Sequence, residues 1–292
     1  MAMDDSQTEF LIPVRDYDLA ATLSSGQAFR WKPAGEYWEG AVGQRWLRLK
    51  SVSRGILVQT AAPVSDWSWV THYLQTDVEI DAIIKGFPDD EAMRTSAAHC
   101  RGLRLLRQDP WECLASFILS STKQIVQIQQ IVALVCERFG APLVVPPGHP
   151  PVYGFPTVER LAAAREHELR ACKMGFRAPN ILRSAQMVAR GEVDLGHLGD
   201  LPLAEARREL VRLRGVGEKI ANCVLLFAYG FQGAFPVDVW VMKALRQLYF
   251  PKRRPSAQRL IEFTSTYFGL NAGYAQQYLF HYMRTGRRGA GS

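Results

Sequence analysis

The sequence predicts an α+β protein, with a small N-terminal antiparallel β-sheet domain followed by a mostly α-helical region. Three observations predict it. Short aromatic or β-branched runs separated by Gly and Pro crowd the first 60 or so residues. From about residue 89 apolar residues recur instead at helical spacing. Finally, 292 residues that are 48% apolar and 22% charged suffice for a sizeable core and two or three subdomains.

In chain order, residues 28–31, 37–42, 46–49 and 55–59 read as strands of an antiparallel meander. Asp66 is placed to cap a helix over 67–74, and 77–84 continues in helical style. Asp109 precedes Pro110 and Glu112, the proline-first start of a helix through Ile118. Residues 124–139 form an amphipathic helix stopped by Gly140. Six prolines between 141 and 156 mark a loop. Helices follow near 157–172, 177–190, 202–212, 237–249, 255–267 and 272–284, and the tail 287–292 reads as disordered. The expected division is residues 1–95 for the sheet domain with flanking helices and 96–292 for the helical region. No internal repeat is evident.

No apolar run approaches the roughly 18 residues of a membrane span, and Met1-Ala2-Met3-Asp4-Asp5 is not a signal peptide. The expectation is a cytoplasmic protein, nucleoid-associated if bacterial. Cys100, Cys113, Cys136, Cys172 and Cys223 are scattered, as are the six histidines, which argues against zinc or an iron–sulfur cluster. A formal net charge of +7 favours a polyanionic partner, though only modestly.

The stretch RLRGVGEKIANC (212–223) is unusual. Residues 204–212 read as one helix, 213–217 as a tight hairpin, and Lys219 stands where a second helix begins, ending near Gly230. A helix N-terminus is partly positive, so an ammonium group there breaks a local rule, and such breaks concentrate at functional sites. Gly215 and Gly217 allow a left-handed turn and close approach to a ligand, and phosphate contacts of this kind position DNA without reading it. The alternative is an ordinary turn with a solvated lysine. Asp238, nineteen positions on in FPVDVW, occupies an N-cap position.

The combination LRGVGEKIANC…FPVDV resembles the helix–hairpin–helix DNA glycosylases. The segments SSGQAFRW (24–31), LRLLRQDPWECLASFILSS (103–121), MGFRA (174–178) and YAQQYLF (274–280) resemble, in order, 8-oxoguanine DNA glycosylase/AP lyase. The resemblance implies the helix–hairpin–helix at 204–229 and a catalytic loop at 230–240. It implies base excision from double-stranded DNA containing 8-oxoguanine by a monomer, with Lys219 the nucleophile that forms a Schiff base and then cuts by β-elimination. A lysine attacks only as the neutral amine. Asp238 would stabilise positive charge on the sugar.

The resemblance further implies that the Gly26 carbonyl accepts the N7 proton of the lesion, that Gln276 reads its Watson–Crick edge, and that Phe280 and Cys223 sandwich it. No cofactor is required, and the carbonyls of Val211, Leu213 and Val216 would form a structural cation site. The sequence departs from the family where the opposite strand is handled. Thr122 stands in place of an asparagine, Gln127 in place of an arginine, Phe176 in place of a wedging tyrosine and Trp240 in place of a phosphate-contacting histidine. Arg177 retains the second arginine. Relaxed preference for the opposite base follows as an expectation. The alternatives are a glycosylase of the same fold acting on another damaged base, or a non-catalytic DNA-binding module.

Overall fold

The computed structural model describes residues 7–121, 123–253 and 255–286. Strands β1 (Gln7–Pro13), β2 (Lys32–Ala34), β3 (Tyr37–Val42), β4 (Arg45–Val52) and β5 (Gly55–Val64) form one antiparallel sheet in the order β1-β5-β4-β3-β2. Its helices run α1 (Leu19–Ser24), α2 (Ser68–Leu74), α3 (Ile80–Lys85), α4 (Glu91–His99), α5 (Pro110–Leu119), α6 (Ile125–Phe139) and α7 (Val158–Ala162). They continue as α8 (Glu166–Leu169), α9 (Ala178–Ala189), α10 (Leu203–Val211), α11 (Glu218–Val224), α12 (Val239–Leu248), α13 (Ala257–Tyr267) and α14 (Ala272–Thr285). Among the described residues no helix is long and apolar enough to cross a membrane.

The meander from 37 to 59 forms as expected, because alternate residues of β4 and β5 (Leu47, Leu49, Ile56, Val58) face a core completed by Trp31, Val70 and Leu74. Residues 28–31 are not a strand. They form an irregular segment whose aromatic residues serve burial instead: Phe29 packs in the helical core and Trp31 Nε1 donates to Tyr73 Oη at 2.8 Å. The sheet gains β1, which the pattern did not reveal, and α1 is capped by Asp18 accepting from Ala21 N at 2.8 Å. The helix expected over 157–172 breaks into α7, α8 and a kinked turn where Lys173 takes φ 61. Helices α5 and α6 carry the expected caps at Asp109 and Gly140. Thr122 and residues 287–292 lie outside the described residues.

One buried side chain ties the sheet side to the helices. Gln27 is fully buried, and its Nε2 donates to the carbonyls of Thr22 at 2.9 Å and Arg104 at 2.8 Å. Its Oε1 accepts from Leu106 N at 2.8 Å, and Gln108 Nε2 donates to its backbone carbonyl. Helix α14 joins the same region through Gln277 Nε2 to Ser25 O at 3.1 Å and Tyr278 Oη to Leu103 O at 3.1 Å. Backbone groups that no sheet or helix satisfies are thus satisfied by side chains.

Gln27→Leu leaves several buried backbone groups unpaired, each costing about 1–3 kcal/mol. We expect the melting temperature to fall by on the order of 10 °C, read by circular dichroism; a change within about 2 °C would remove Gln27 from this role. The five cysteines are all buried and unpaired. Burial pushes Cys223 up to about 11 and Cys100 and Cys136 up to about 12, and it raises Cys113 and Cys172 as well. A thiol-specific disulfide reagent should therefore find no fast-reacting thiol in the folded protein at about pH 8, and all five only after denaturation; one rapid equivalent would contradict this.

Candidate active site

The hairpin between α10 and α11 is anchored from below by Leu213 and Val216, both buried. Its turn is left-handed at Gly215, φ +81, where a Cβ would lie 2.6 Å from Asn180 Nδ2. Ser184 Oγ donates to Arg214 O at 3.0 Å, so α9 holds the turn in place. Gly217 differs from expectation, with an extended backbone at φ −100 as the N-cap of α11. Its Cα faces open space, where an added Cβ meets nothing within 4 Å. The Leu213 carbonyl accepts the Val216 N–H at 3.2 Å, and Val211 is exposed. No group of three or more His, Cys, Asp or Glu among the described residues could hold a metal ion.

Lys219 lies in the first turn of α11, half-buried. Its Nζ donates to Ser120 Oγ at 3.4 Å and sits 5.4 Å from the centroid of the Phe117 ring. Ser120 Oγ itself donates to Phe117 O at 2.7 Å, so its lone pairs are free to face the ammonium group. Asp238 caps α12 with its side chain accepting from Val241 N at 2.8 Å. Burial raises its carboxyl above the usual range, opposed by the Val241 N–H and then by the charge of Lys219. Cys223, one turn beyond Lys219, is 3% exposed and feels both charges. Lys219, Cys223 and Asp238 therefore occupy one electrostatic neighbourhood.

A second group lies beside it. Gly26 is left-handed at φ +79, and a Cβ there would come 2.7 Å from Ile125 Cδ1 at the start of α6. Gln276, on α14, is 4% exposed, and its Oε1 has no hydrogen-bond partner among the described residues. A buried acceptor left open is costly and is the expected state of a group waiting for a ligand's donor. Phe280 follows one turn later, half-buried, with the Arg284 guanidinium carbon 5.2 Å from its ring centroid.

Residues expected to meet the opposite strand and the backbone are arranged differently. Gln127 is exposed but its Oε1 accepts from Gln124 N at 3.2 Å, closing a capping box on α6. Arg177 is 2% exposed, donates to Ser121 O, and lies 4.2 Å from the ring of Phe176, which is itself 62% exposed. Trp240 is exposed, with Lys243 Nζ 5.4 Å from its ring. A cleft of about 590 Å³ lined by Phe29, Trp46, His149 and Tyr153 contains none of these residues. Ser120, Phe117 and Arg284 are additions that the residue pattern did not single out. The serine pair stood in a matched segment, but nothing local placed it against a lysine 99 positions away.

Comparison with known proteins places the chain in a family. Residues 9–114 match the family model described as 8-oxoguanine DNA glycosylase, N-terminal domain, and residues 115–267 match the HhH-GPD superfamily base excision DNA repair protein model. A probable N-glycosylase/DNA lyase of Methanothermobacter thermautotrophicus is 30% identical, with 94% of this chain and 95% of that protein covered. The N-glycosylase/DNA lyase OGG1 of Arabidopsis thaliana is also 30% identical, over 94% of this chain and 78% of that one. Among solved structures, the Clostridium acetobutylicum 8-oxoguanine glycosylase/lyase in complex with double-stranded DNA containing cytosine opposite 8-oxoG superimposes with a TM-score of 0.88. It is 28% identical, over 95% of this chain and 98% of that one. With the sheet, the hairpin and the lysine–aspartate pair in place, the chain belongs to the HhH-GPD superfamily of base excision DNA repair proteins, in the branch with the 8-oxoguanine DNA glycosylase N-terminal domain.

Proposed function

We propose that the protein is a bifunctional DNA glycosylase and AP lyase that removes 8-oxoguanine from double-stranded DNA. The observation that carries this reading is the half-buried Lys219 amine sharing one neighbourhood with the Asp238 carboxylate, beside a buried, unpartnered Gln276 acceptor. The neutral amine attacks the sugar C1′, forming a C–N bond as the glycosidic bond breaks and its electron pair leaves with the base. The new C–N nitrogen loses a proton, and its lone pair then expels O4′, which takes up a proton as the sugar ring opens to a Schiff base. Removal of a C2′ proton expels the 3′ phosphate by β-elimination. Asp238 stabilises the positive charge that develops on the sugar.

Base choice follows from donors and acceptors. The Gln276 Oε1 acceptor suits the N1–H and N2–H donors of a guanine edge. The Gly26 carbonyl, as a hydrogen-bond acceptor, discriminates at N7, which carries a proton in 8-oxoguanine and a lone pair in guanine, since two acceptors face to face repel. Phe280 and Cys223 form the two faces of the slot. The open Cα face of Gly217 admits a phosphate to the hairpin, and the carbonyls of Val211, Leu213 and Val216 are the candidate ligands of a structural cation. The enzyme acts as a monomer, in the compartment that holds the DNA.

Lys219→Gln should abolish base release and borohydride trapping on lesion DNA while keeping lesion affinity; normal excision by the purified variant removes the nucleophile assignment. Asn caps a helix about as well as Asp, so Asp238→Asn should keep its melting temperature and lose on the order of 10²–10³ in single-turnover rate. Full activity in that folded variant ends the charge-stabilising role.

We also propose that opposite-base selectivity is relaxed, because Gln127 is shorter than arginine and already engaged in the α6 cap. One bidentate base contact is worth about 1–3 kcal/mol, so rates opposite C, T, G and A should lie within about tenfold of one another. A preference for C of about a hundredfold would show that other groups supply the contact.

A further inference from the structure

Arg284 stands where the two parts of the site meet. On α14 it is one turn from Phe280, and its guanidinium carbon lies 5.2 Å from that ring's centroid. Its Nη1 comes within 3.5 Å of where a Cβ on Gly26 would be, so the guanidinium also rests against the turn expected to present its carbonyl to the base. Helix α14 packs against α12, whose N-cap is Asp238. We infer that Arg284 is a positioning residue of the lesion site, bracing Phe280 and the Gly26 turn and completing, with Lys219, the positive field around the Asp238 carboxylate. The inference rests on the proposed function, and it assigns a role to a side chain outside the lysine–aspartate pair.

A guanidinium over an aromatic face restricts the ring, and a wall that stacks on a flipped base must be held before the base arrives. A buried carboxylate needs compensating charge to stay ionised. Among the described residues, the groups facing Asp238 are the Val241 and Trp240 N–H groups of its own helix, Lys219 and Cys223 from α11, and Arg284 from α14. Burial raises the Asp238 carboxyl while these hydrogen bonds, Lys219 and Arg284 oppose it; removing Arg284 therefore raises it further. The same guanidinium helps burial hold His281 down at about 4, with His99 adding to it.

The test compares wild type with Arg284→Met, which keeps length and loses charge, and Arg284→Lys, which keeps charge. Single-turnover release of 8-oxoguanine is measured with saturating enzyme between about pH 5.5 and 8.5. For Arg284→Met the acid limb should move up by about half a unit or more, giving at least about a threefold loss at the acid end and little at the alkaline end. Arg284→Lys should restore the limb, and the His281 ring resonances should titrate at higher pH in Arg284→Met. An unmoved limb overturns the inference, and so does a uniform loss that lysine does not restore. If wild type released no 8-oxoguanine at any pH, the proposed function would fail instead. The His281 titration would still report whether the guanidinium exerts its field.

Discussion

The structure depends on satisfying backbone groups in a stretch that is neither helix nor strand. Gln27 crosses that stretch, pairing with Thr22, Arg104 and Leu106 in one buried knot. The neighbouring Gly26 turn thereby has a fixed position, and the segment 103–108 leads directly into α5. Helix α5 ends at the serine that meets the lysine, and α14, tied to Ser25 through Gln277, carries Gln276 and Phe280, the residues proposed to face the base. An amide buried on the sheet side thus sets the spacing of side chains supplied by three separate helices.

The misplaced charge of Lys219 has a resolution in helix ends. The start of α11 repels an ammonium group, but the last turn of α5 presents the opposite polarity to the same atom. Ser120 accepts from the amine there and the Phe117 ring lies beneath it. Asp238, at the head of α12, adds a carboxylate whose own cap hydrogen bond fixes its orientation. The termini of three helices converge, and no single one of them dictates the character of the site.

How much of this could be read from the residues varies with range. The meander over β3 to β5, the Asp109 cap, the Gly140 stop and the hairpin were legible because each is a local pattern of period, cap or turn. Residues 28–31 look like a strand because aromatic side chains suit both a pleated sheet and a buried loop, and composition alone does not separate the two. Strand β1 needed its partner β5, some 45 residues away, to declare itself. Gly217 looked like a second left-handed glycine but is extended, since one reversal at Gly215 completes the turn. Lys219, Asp238 and the residues proposed for the base slot were singled out by motif. Arg284 and Ser120 were not, because their meaning lies in pairings across the fold.

The thiols have a consequence for the conditions under which the protein works. A lesion such as 8-oxoguanine arises where oxidants are abundant, and an oxidant attacks a thiolate that solvent can reach. All five cysteines are enclosed and held in the unreactive form, including Cys223 beside the lysine. The sulfur proposed to line the slot for oxidised bases is thus itself shielded from the oxidants that make them.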